Sequence, residues 1–234
     1  MRFAVIDNNV DPMTPEQGRG RGFFEALDAW VKGKDYEFIR YDQIKTAAED
    51  ALRCRGLILS GSRYDFARLD NRLDLNTYRK MTPELQLLRD FDGPVLGICF
   101  GHQLLALAEE FENGRISFGQ LQIRNMRVAE DDYLVASLRL ESGLRFTTRT
   151  ELWVQNNHKQ EVVPTEALLE RFEILSRSDL CPVQIMQHRA RDWFGVQFHP
   201  EIGRNSNHGE TDRHDDAVRD GYALIRDFVR YCLK

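Results

Sequence analysis

The feature that most constrains the fold is an apolar run that stops at a cysteine between small residues and resumes with helical spacing. This segment covers residues 94–106 and reads PVLGICFGHQLLA. The pattern predicts a strand, a sharp turn and a helix, with Cys99 at the turn. Such a turn tolerates little bulk, and Gly97 and Gly101 provide the space that it needs. The segment therefore predicts a cysteine that projects from the carboxyl edge of a sheet.

The position of Cys99 also favours chemical reactivity. At the amino end of the predicted helix, the free N–H groups and the helix dipole stabilise the thiolate, which is the form that attacks carbon. A free cysteine is more often a small apolar core residue, but the flanking glycines and Gln103 favour a nucleophile here. The other cysteines, Cys54, Cys181 and Cys232, show no C-x-x-C spacing, which fits a reduced compartment.

A thiolate nucleophile needs a histidine that carries protons and a third group that orients the histidine. The best candidate is His199, which follows the strand-forming residues 193–198. Pro200 keeps its neighbour extended, so His199 and Glu201 point the same way from the backbone. Glu201 is predicted to fix the tautomer of the imidazole and to stabilise its charged form. His102 is closer to Cys99 in sequence, but its place along the helix is expected to direct it away from the sulfur.

Together these residues resemble the class I, or triad-type, glutamine amidotransferases. That family combines a G-x-C-x-G-x-Q turn with a distant H-P-E motif, and residues 97–103 and 199–201 have both patterns. Residues 56–62 read GLILSGS and are similar to the family's strand that ends in S-G-G, with Ser62 in place of the second glycine. The gap of roughly one hundred residues between cysteine and histidine also suits the family. The resemblance covers about residues 1–202.

The resemblance implies a hydrolytic reaction without a cofactor. Cys99 would attack the side-chain amide of glutamine, His199 would pass a proton to the departing ammonia, and Glu201 would orient His199. Water would then release glutamate from a thioester. Since no synthetase domain is recognised in the chain, the ammonia would be released or handed to a partner synthetase protein in trans.

The resemblance also implies the remaining site residues. The amide N–H of Phe100 and that of either Gly61 or Ser62 would form the oxyanion hole, and losing one such donor typically costs ~100- to 1,000-fold in rate. Gln103 would contact the substrate amide or hold the pocket. Residues 156–160 read NNHKQ and are similar to the family's N-H or S-H segment, which binds the α-amino and α-carboxyl groups of glutamine. The contacts expected from this segment are those of Asn157 and His158.

The rest of the chain predicts an α/β fold. Residues 2–6 and 36–41 read as strands, residues 44–52 as a short helix and residues 56–59 as a buried strand, which establishes a βαβ rhythm. Residues 115–140 alternate polar and apolar, which predicts an antiparallel excursion between nucleophile and base. The expected architecture is a flavodoxin-like or Rossmann-like, mostly parallel sheet flanked by helices. Apolar residues at helical spacing from Val218 to Cys232 predict a closing amphipathic helix.

Length and charge limit the alternatives. The 234 residues are enough for one α/β domain with a large core, so residues 1–234 are predicted to form a single domain. A net charge of −5 argues against nucleic acid as a partner. No apolar run has the length of a membrane span, and the first residues read as a core strand rather than a signal peptide. A cytoplasmic protein without a membrane partner is therefore expected.

Four further segments are open to a local interpretation. The glycine-rich residues 18–22 are expected to be a loop, since they do not match a phosphate-binding motif. Residues 63–80, charged and aromatic, either cap the pocket and confer specificity or form a solvated loop or helix. A helix is predicted to open at residues 82–84 (TPE), and the nucleophile helix is predicted to end near residues 112–114. Residues 208–216 contain metal-ligand residue types, but their spacing matches no strong motif, so no metal is expected.

Three functions are compatible with these residues. The first is a glutaminase-type amidotransferase that supplies a partner. The second is a γ-glutamyl peptidase or hydrolase that acts on γ-glutamyl amides, with residues 63–80 as the source of a different specificity. The third is a catalytically silent regulatory protein, which rests only on Ser62 and Asn157, the two departures from the family pattern.

Overall fold

The computed structural model describes residues 2–9, 23, 25–27, 36–112, 115–116, 123–203 and 213–234. Within these ranges seven strands form one sheet. From one edge to the other they are β2 (Tyr36–Arg40), β1 (Phe3–Asp7), β3 (Leu57–Leu59), β4 (Val95–Ile98), β11 (Trp193–Val196), β10 (Ile185–His188) and β9 (Phe172–Ser176).

The order of the strands shows how the sheet is built. β2, β1, β3, β4 and β11 pair in parallel, while β10 is antiparallel to both of its neighbours. The chain runs outward from β1 to β2 and then back across to β3 and β4, which is the flavodoxin-like arrangement. The predicted α/β fold with a mostly parallel sheet is therefore confirmed.

Helices and loops cover both faces of the sheet. Side chains alternate along β1, so Ala4 and Ile6 join one apolar cluster while Phe3 and Val5 join the other. The first cluster lies under α1 to α4, and the second lies under α5 and the hairpin described next. The helices are α1 (Ile44–Leu52), α2 (Leu75–Asp90), α3 (Phe100–Ala108), α4 (Glu166–Arg171) and α5 (His214–Cys232).

A long hairpin separates the nucleophile strand from the strand before His199. It consists of β7 (Ile123–Arg139) and β8 (Glu151–Val162), which pair antiparallel. The expected antiparallel excursion is thus confirmed. The predicted end of the nucleophile helix near residues 112–114 is wrong, because α3 ends at Ala108. After this helix, β5 (Phe111–Glu112) pairs antiparallel with β6 (Arg115–Ile116).

The predicted helix start at residues 82–84 is also wrong. α2 begins seven residues earlier than Thr82, at Leu75, and Pro83 lies inside it. The helix begins there because the side chain of Asp74 accepts hydrogen bonds from the amide N–H groups of Asn76 and Thr77, which the helix leaves without partners. Residues 63–80 are therefore a loop followed by the first turns of α2.

The closing helix follows its predicted pattern. α5 buries Val218, Ile225, Phe228, Val229 and Cys232, all of which the spacing assigns to its apolar face. Of the helices in the described ranges, none combines the length and the apolar character needed to cross a bilayer. The glycine-rich residues 18–22 lie outside the described residues, as do residues 204–212.

Candidate active site

The turn between β4 and α3 holds Cys99 in an unusual backbone conformation. Cys99 has φ 51° and ψ −100°, a region that L-residues rarely occupy. It directly precedes Phe100, the first residue of α3. Such a strained turn between strand and helix is the arrangement by which α/β hydrolases expose a nucleophile.

The two glycines around Cys99 are required by close packing. A Cβ on Gly97 would lie 2.5 Å from the carbonyl oxygen of Gly101. A Cβ on Gly101 would overlap the carbonyl oxygen of Leu59 in β3. The first residues of α3 therefore press directly against β3 and β4, and this contact fixes the position of Cys99.

Parallel pairing of β4 and β11 brings the two motifs to one edge of the sheet. Val196 is the register partner of Ile98, and the amide of Cys99 donates to the carbonyl of Val196 at 2.8 Å. His199 follows Val196 by three residues, and its own amide donates to the carbonyl of Gln155 at 2.9 Å. Cys99 and His199 thus follow the carboxyl ends of two neighbouring strands, although they lie far apart in sequence.

Both ring nitrogens of His199 face oxygen atoms. Nδ1 lies 2.8 Å from Oε1 of Glu201, and Nε2 lies 3.2 Å from the backbone oxygen of Asn157. The side chains of His199 and Glu201 are both fully buried. A neutral imidazole has a hydrogen on one nitrogen only, so the tautomer of the ring decides which of these two oxygens accepts a hydrogen bond from His199.

Two other histidines lie buried near this site. Burial lowers the pKa of His102 to about 3, although the backbones of Gly195 and Val183 act against this shift. Burial also lowers the pKa of His158 to about 3, with smaller contributions from His199 and His102. A histidine with so low a pKa is a poor proton carrier near neutral pH, which agrees with the expectation that His102 is not the base.

The loop after β3 is held by its own serine side chains. The hydroxyl of Ser60 donates to the carbonyl of Gly61 at 3.0 Å, and that of Ser62 donates to the carbonyl of Asn8 at 2.6 Å. Ser62 Oγ also accepts from the amide of Tyr64 at 3.0 Å. These bonds use carbonyls and side chains, so the amides of Gly61 and Ser62 both remain candidate donors. The hydroxyl of Ser62 gives the substitution in the S-G-G motif a structural role.

The remaining predicted site residues lie around this edge of the sheet. The amide of Phe100 has no carbonyl partner within α3, because Phe100 is the first residue of the helix. Gln103 is buried, and its Nε2 donates to the carbonyl of Gln160 at 2.9 Å, which fits the alternative that Gln103 holds the pocket. Asn157 contributes its backbone oxygen to His199. Direct contacts of Asn157 and His158 with a substrate stay predictions.

Three residues lie around the site although the sequence analysis did not predict a place for them there. Gln160 and Phe66 connect residues 63–80 to the nucleophile turn, and nothing local in their sequence marks this long-range contact. Glu84 is fully buried and accepts a hydrogen bond from Asn8. A signal existed for Glu84, because it lies between Met81 and Leu85 on the apolar face of a helix.

The described part of the chain offers no evident metal centre. Among those residues, no three or more His, Cys, Asp or Glu side chains come together in a way that could hold a metal ion. Most of the segment 208–216 lies outside the described residues, and its last residues belong to the start of α5.

Known proteins resemble this chain in both sequence and structure. A glutamine-hydrolyzing GMP synthase subunit of Methanocaldococcus jannaschii is 33% identical over 178 residues, which are 76% of this chain and 74% of that protein. The corresponding subunit of Methanococcus aeolicus is 33% identical over 184 residues, 79% of this chain and 77% of the relative.

Solved structures show the same fold. A glutamine amidotransferase from Thermotoga maritima superposes with a TM-score of 0.65 at 14% identity, covering 100% of this chain and 98% of that one. The CTPS glutaminase domain of Trypanosoma brucei with bound acivicin gives a TM-score of 0.62 at 13% identity and covers 98% and 94% of the two chains. At these identities the likeness concerns the fold alone.

A family model decides the assignment of the chain. The model for class I glutamine amidotransferases matches residues 27–213, which include both the cysteine turn and the H-P-E motif. This match confirms the predicted family and with it the predicted class of cysteine hydrolases. The chain belongs to the class I glutamine amidotransferase family.

Proposed function

We propose that this chain hydrolyses the side-chain amide of glutamine with a triad of Cys99, His199 and Glu201. The observation that supports the proposal is the parallel pairing of β4 with β11, because the strained Cys99 and the buried His199–Glu201 pair follow the carboxyl ends of these two neighbouring strands. A nucleophile, a proton carrier and an orienting carboxylate are the three parts that such a reaction needs.

The chemistry follows from the role of each group. The thiolate of Cys99 attacks the amide carbon, and the amide N–H of Phe100, together with that of Gly61 or Ser62, stabilises the negative charge on the oxygen. His199 gives its proton to the departing nitrogen, which leaves as ammonia. His199 then accepts a proton from water, which attacks the thioester and releases glutamate and free Cys99. Glu201 holds the ring in place and stabilises its positive charge in the steps where the ring is protonated.

The ammonia is proposed to serve a partner synthetase in trans. The two methanogen relatives are each named as one subunit of a glutamine-hydrolyzing GMP synthase, and each is matched over roughly three quarters of its length. A relative that is one subunit of a synthase works together with another chain. We therefore infer the same division of labour for this protein.

A second candidate is hydrolysis of other γ-glutamyl amides. It is favoured by the loop of residues 63–74, where Phe66 lies against Phe100 beside the nucleophile. A segment packed so close to Cys99 is well placed to select the group attached to the γ-amide. Rates with L-glutamine and with γ-glutamyl dipeptides, measured on one preparation, separate the two candidates.

The central experiment tests Cys99 directly. Wild-type protein is incubated with acivicin, and mass spectrometry locates the adduct, which is expected on Cys99. The variant Cys99→Ala is expected to lose ammonia release by about 10⁴-fold or more, because the nucleophile is absent. Cys181→Ala is the matched control, since Cys181 is also a buried cysteine that forms no disulfide.

Two results would contradict the proposal. One is a Cys99→Ala variant that keeps wild-type turnover, and the other is an adduct on a cysteine other than Cys99. Measurable hydrolysis by the wild-type chain alone would also exclude the catalytically silent regulatory protein.

A further inference from the structure

The loop of residues 63–74 packs on the nucleophile turn through one aromatic pair. The rings of Phe66 and Phe100 are stacked, with centroids 4.3 Å apart and planes inclined by 8°. Both side chains are buried, at 0% and 1% exposure. Phe100 directly follows Cys99, so movement of Phe66 would be transmitted to the first turn of α3.

The side chain of Gln160 holds Phe66 in this place. Its Oε1 accepts from the amides of Phe66 at 2.9 Å and Ala67 at 3.1 Å. Its Nε2 donates to the carbonyl of Ala67 at 2.6 Å and to Oδ1 of Asn125 at 2.9 Å. The amide group of Gln160 thus pairs with the loop much as a neighbouring strand would. With 3% exposure, it is shielded from competing water.

The backbone of Gln160 makes a second connection, to the nucleophile helix. Its carbonyl accepts from Nε2 of Gln103 at 2.9 Å. One residue of β8 therefore contacts both the loop that carries Phe66 and the helix that begins at Phe100. The amide groups proposed for the oxyanion hole adjoin these two contacts, since Phe100 is the first residue of this helix and Gly61 and Ser62 directly precede the loop.

We propose that Gln160 is a positioning residue that sets the spacing of the two oxyanion amides. The inference rests on the proposed function, because it concerns the oxyanion formed in that reaction. Gln160 acts through Phe66 and the Phe66–Phe100 stack. Oxyanion stabilisation depends on donor distances, so a loosened loop lowers the rate of attack without changing the thiolate itself.

The test separates oxyanion stabilisation from general damage. In Gln160→Met the side chain keeps a similar length but loses all four hydrogen bonds to the loop and to Asn125. We expect kcat for L-glutamine to fall by about 10- to 100-fold, with KM within about 3-fold. Alkylation of Cys99 by iodoacetamide forms no oxyanion, so its rate is expected to stay within about 2-fold of the wild-type rate.

Two further variants keep the test decisive. Gln187→Met is the matched control, because Gln187 is also a buried glutamine that donates to a side chain, Glu173, at 3.0 Å but lies on β10. Its kcat is expected to remain within about 2-fold of the wild-type value. If Gln160→Met does not fold, Phe66→Leu removes the aromatic stack alone and is expected to lower kcat while the alkylation rate is unchanged.

The possible results are distinguishable. If the wild-type chain turns over glutamine but Gln160→Met or Phe66→Leu matches it in kcat, the inference is overturned and the proposed function stands. A loss of alkylation in parallel with kcat also overturns the inference, because the defect then lies in the thiolate. A wild-type chain without turnover overturns the proposed function and the inference together.

Discussion

Two neighbouring regions at the carboxyl edge of the sheet each contain a glutamate with 0% exposure. Beside β4 and β11, Oε1 of Glu201 lies 2.8 Å from Nδ1 of His199. Beside β1 and β3, Oε1 of Glu84 accepts from the side-chain amide of Asn8 at 3.2 Å. The same side chain, equally buried, thus meets an imidazole in one region and a neutral amide in the other.

Because burial is the same in both regions, a difference between the two carboxyl groups has to come from the groups that face them. Burial raises the pKa of Glu84 to about 8, although the hydrogen bond from Asn8 acts in the opposite direction. Glu84 is therefore mostly protonated at neutral pH and lies in the core as a neutral side chain. Glu201 faces a ring that can carry a positive charge, so its carboxylate is suited to stabilise the imidazolium of the proposed reaction.

The largest expected effect comes from neutralising each glutamate in turn. Glu201→Gln keeps the size of the side chain but removes the charge that faces His199. We expect kcat for L-glutamine to fall by about 100- to 10,000-fold, as in other triads that lose their carboxylate. Glu84→Gln resembles the protonated glutamate already present, so its kcat is expected to stay within about 3-fold. Steady-state ammonia release measures both.

Equal losses of kcat in Glu201→Gln and Glu84→Gln would contradict this prediction. That result would mean that any change in a buried carboxyl group at this edge disturbs the site. A circular-dichroism melting curve for each variant shows whether a loss of activity reflects a loss of folded protein.

The second prediction concerns stability and pH. The pKa of Glu84 is about 8 in the folded protein and near 4.5 when the chain is unfolded. Between these values the folded state holds a proton that the unfolded state has lost, so Glu84 makes stability decline as pH rises. Glu84→Gln removes this decline. Relative to wild type, the variant is expected to gain about 1 kcal/mol per pH unit from pH 5 to pH 8 and then no more.

Urea unfolding at each pH measures that difference. Below pH 4.5 the side chain at position 84 is neutral in both wild type and Glu84→Gln, so the unfolding free energies of the two proteins are expected to approach each other. Parallel stability curves for wild type and Glu84→Gln across this pH range would show that Glu84 is already ionised in the folded protein.

The smallest effect concerns the packing between the two regions. Gly101 lies at the start of α3, where a Cβ would overlap the carbonyl of Leu59 in β3. Alanine gains about 1 kcal/mol in helix propensity, but the overlap is with backbone and cannot be relieved by a rotamer change. We expect Gly101→Ala to destabilise the protein by about 1–3 kcal/mol in urea unfolding.

Gly143 provides the matched control for Gly101. A Cβ on Gly143 would have no heavy atom within 4 Å, so Gly143→Ala is expected to change stability by less than about 1 kcal/mol. Similar effects of the two substitutions would mean that α3 can move away from β3 at little cost, and the site would then be less rigid than its packing indicates.

Much of the fold could be predicted because its signals are local. Short apolar runs bounded by polar residues indicate buried parallel strands, and the spacing from Val218 to Cys232 indicates an amphipathic helix. The start of α2 could not be predicted this way. The segment 82–84 looks like a helix start, and only the tertiary structure shows that the helix begins earlier and continues through Pro83.

The candidate site likewise contains residues that could be predicted from the sequence and one that could not. Cys99, His199 and Glu201 are marked by short motifs, and their proposed roles follow from residue type and spacing. Gln160 has no such mark, because its side chain bonds to backbone groups more than ninety residues away, at Phe66 and Ala67. Contacts of this kind depend on how β8 lies against the loop, and a single sequence contains no pattern that reports it.

The pairing of β4 with β11 has a consequence for the newly made protein. His199 is 100 residues after Cys99, and the whole β7–β8 hairpin is synthesised between them. During synthesis, Cys99 therefore leaves the ribosome well before His199, which is proposed to be its proton carrier. By the proposed mechanism, a nascent chain cannot hydrolyse glutamine until β11 has been inserted beside β4.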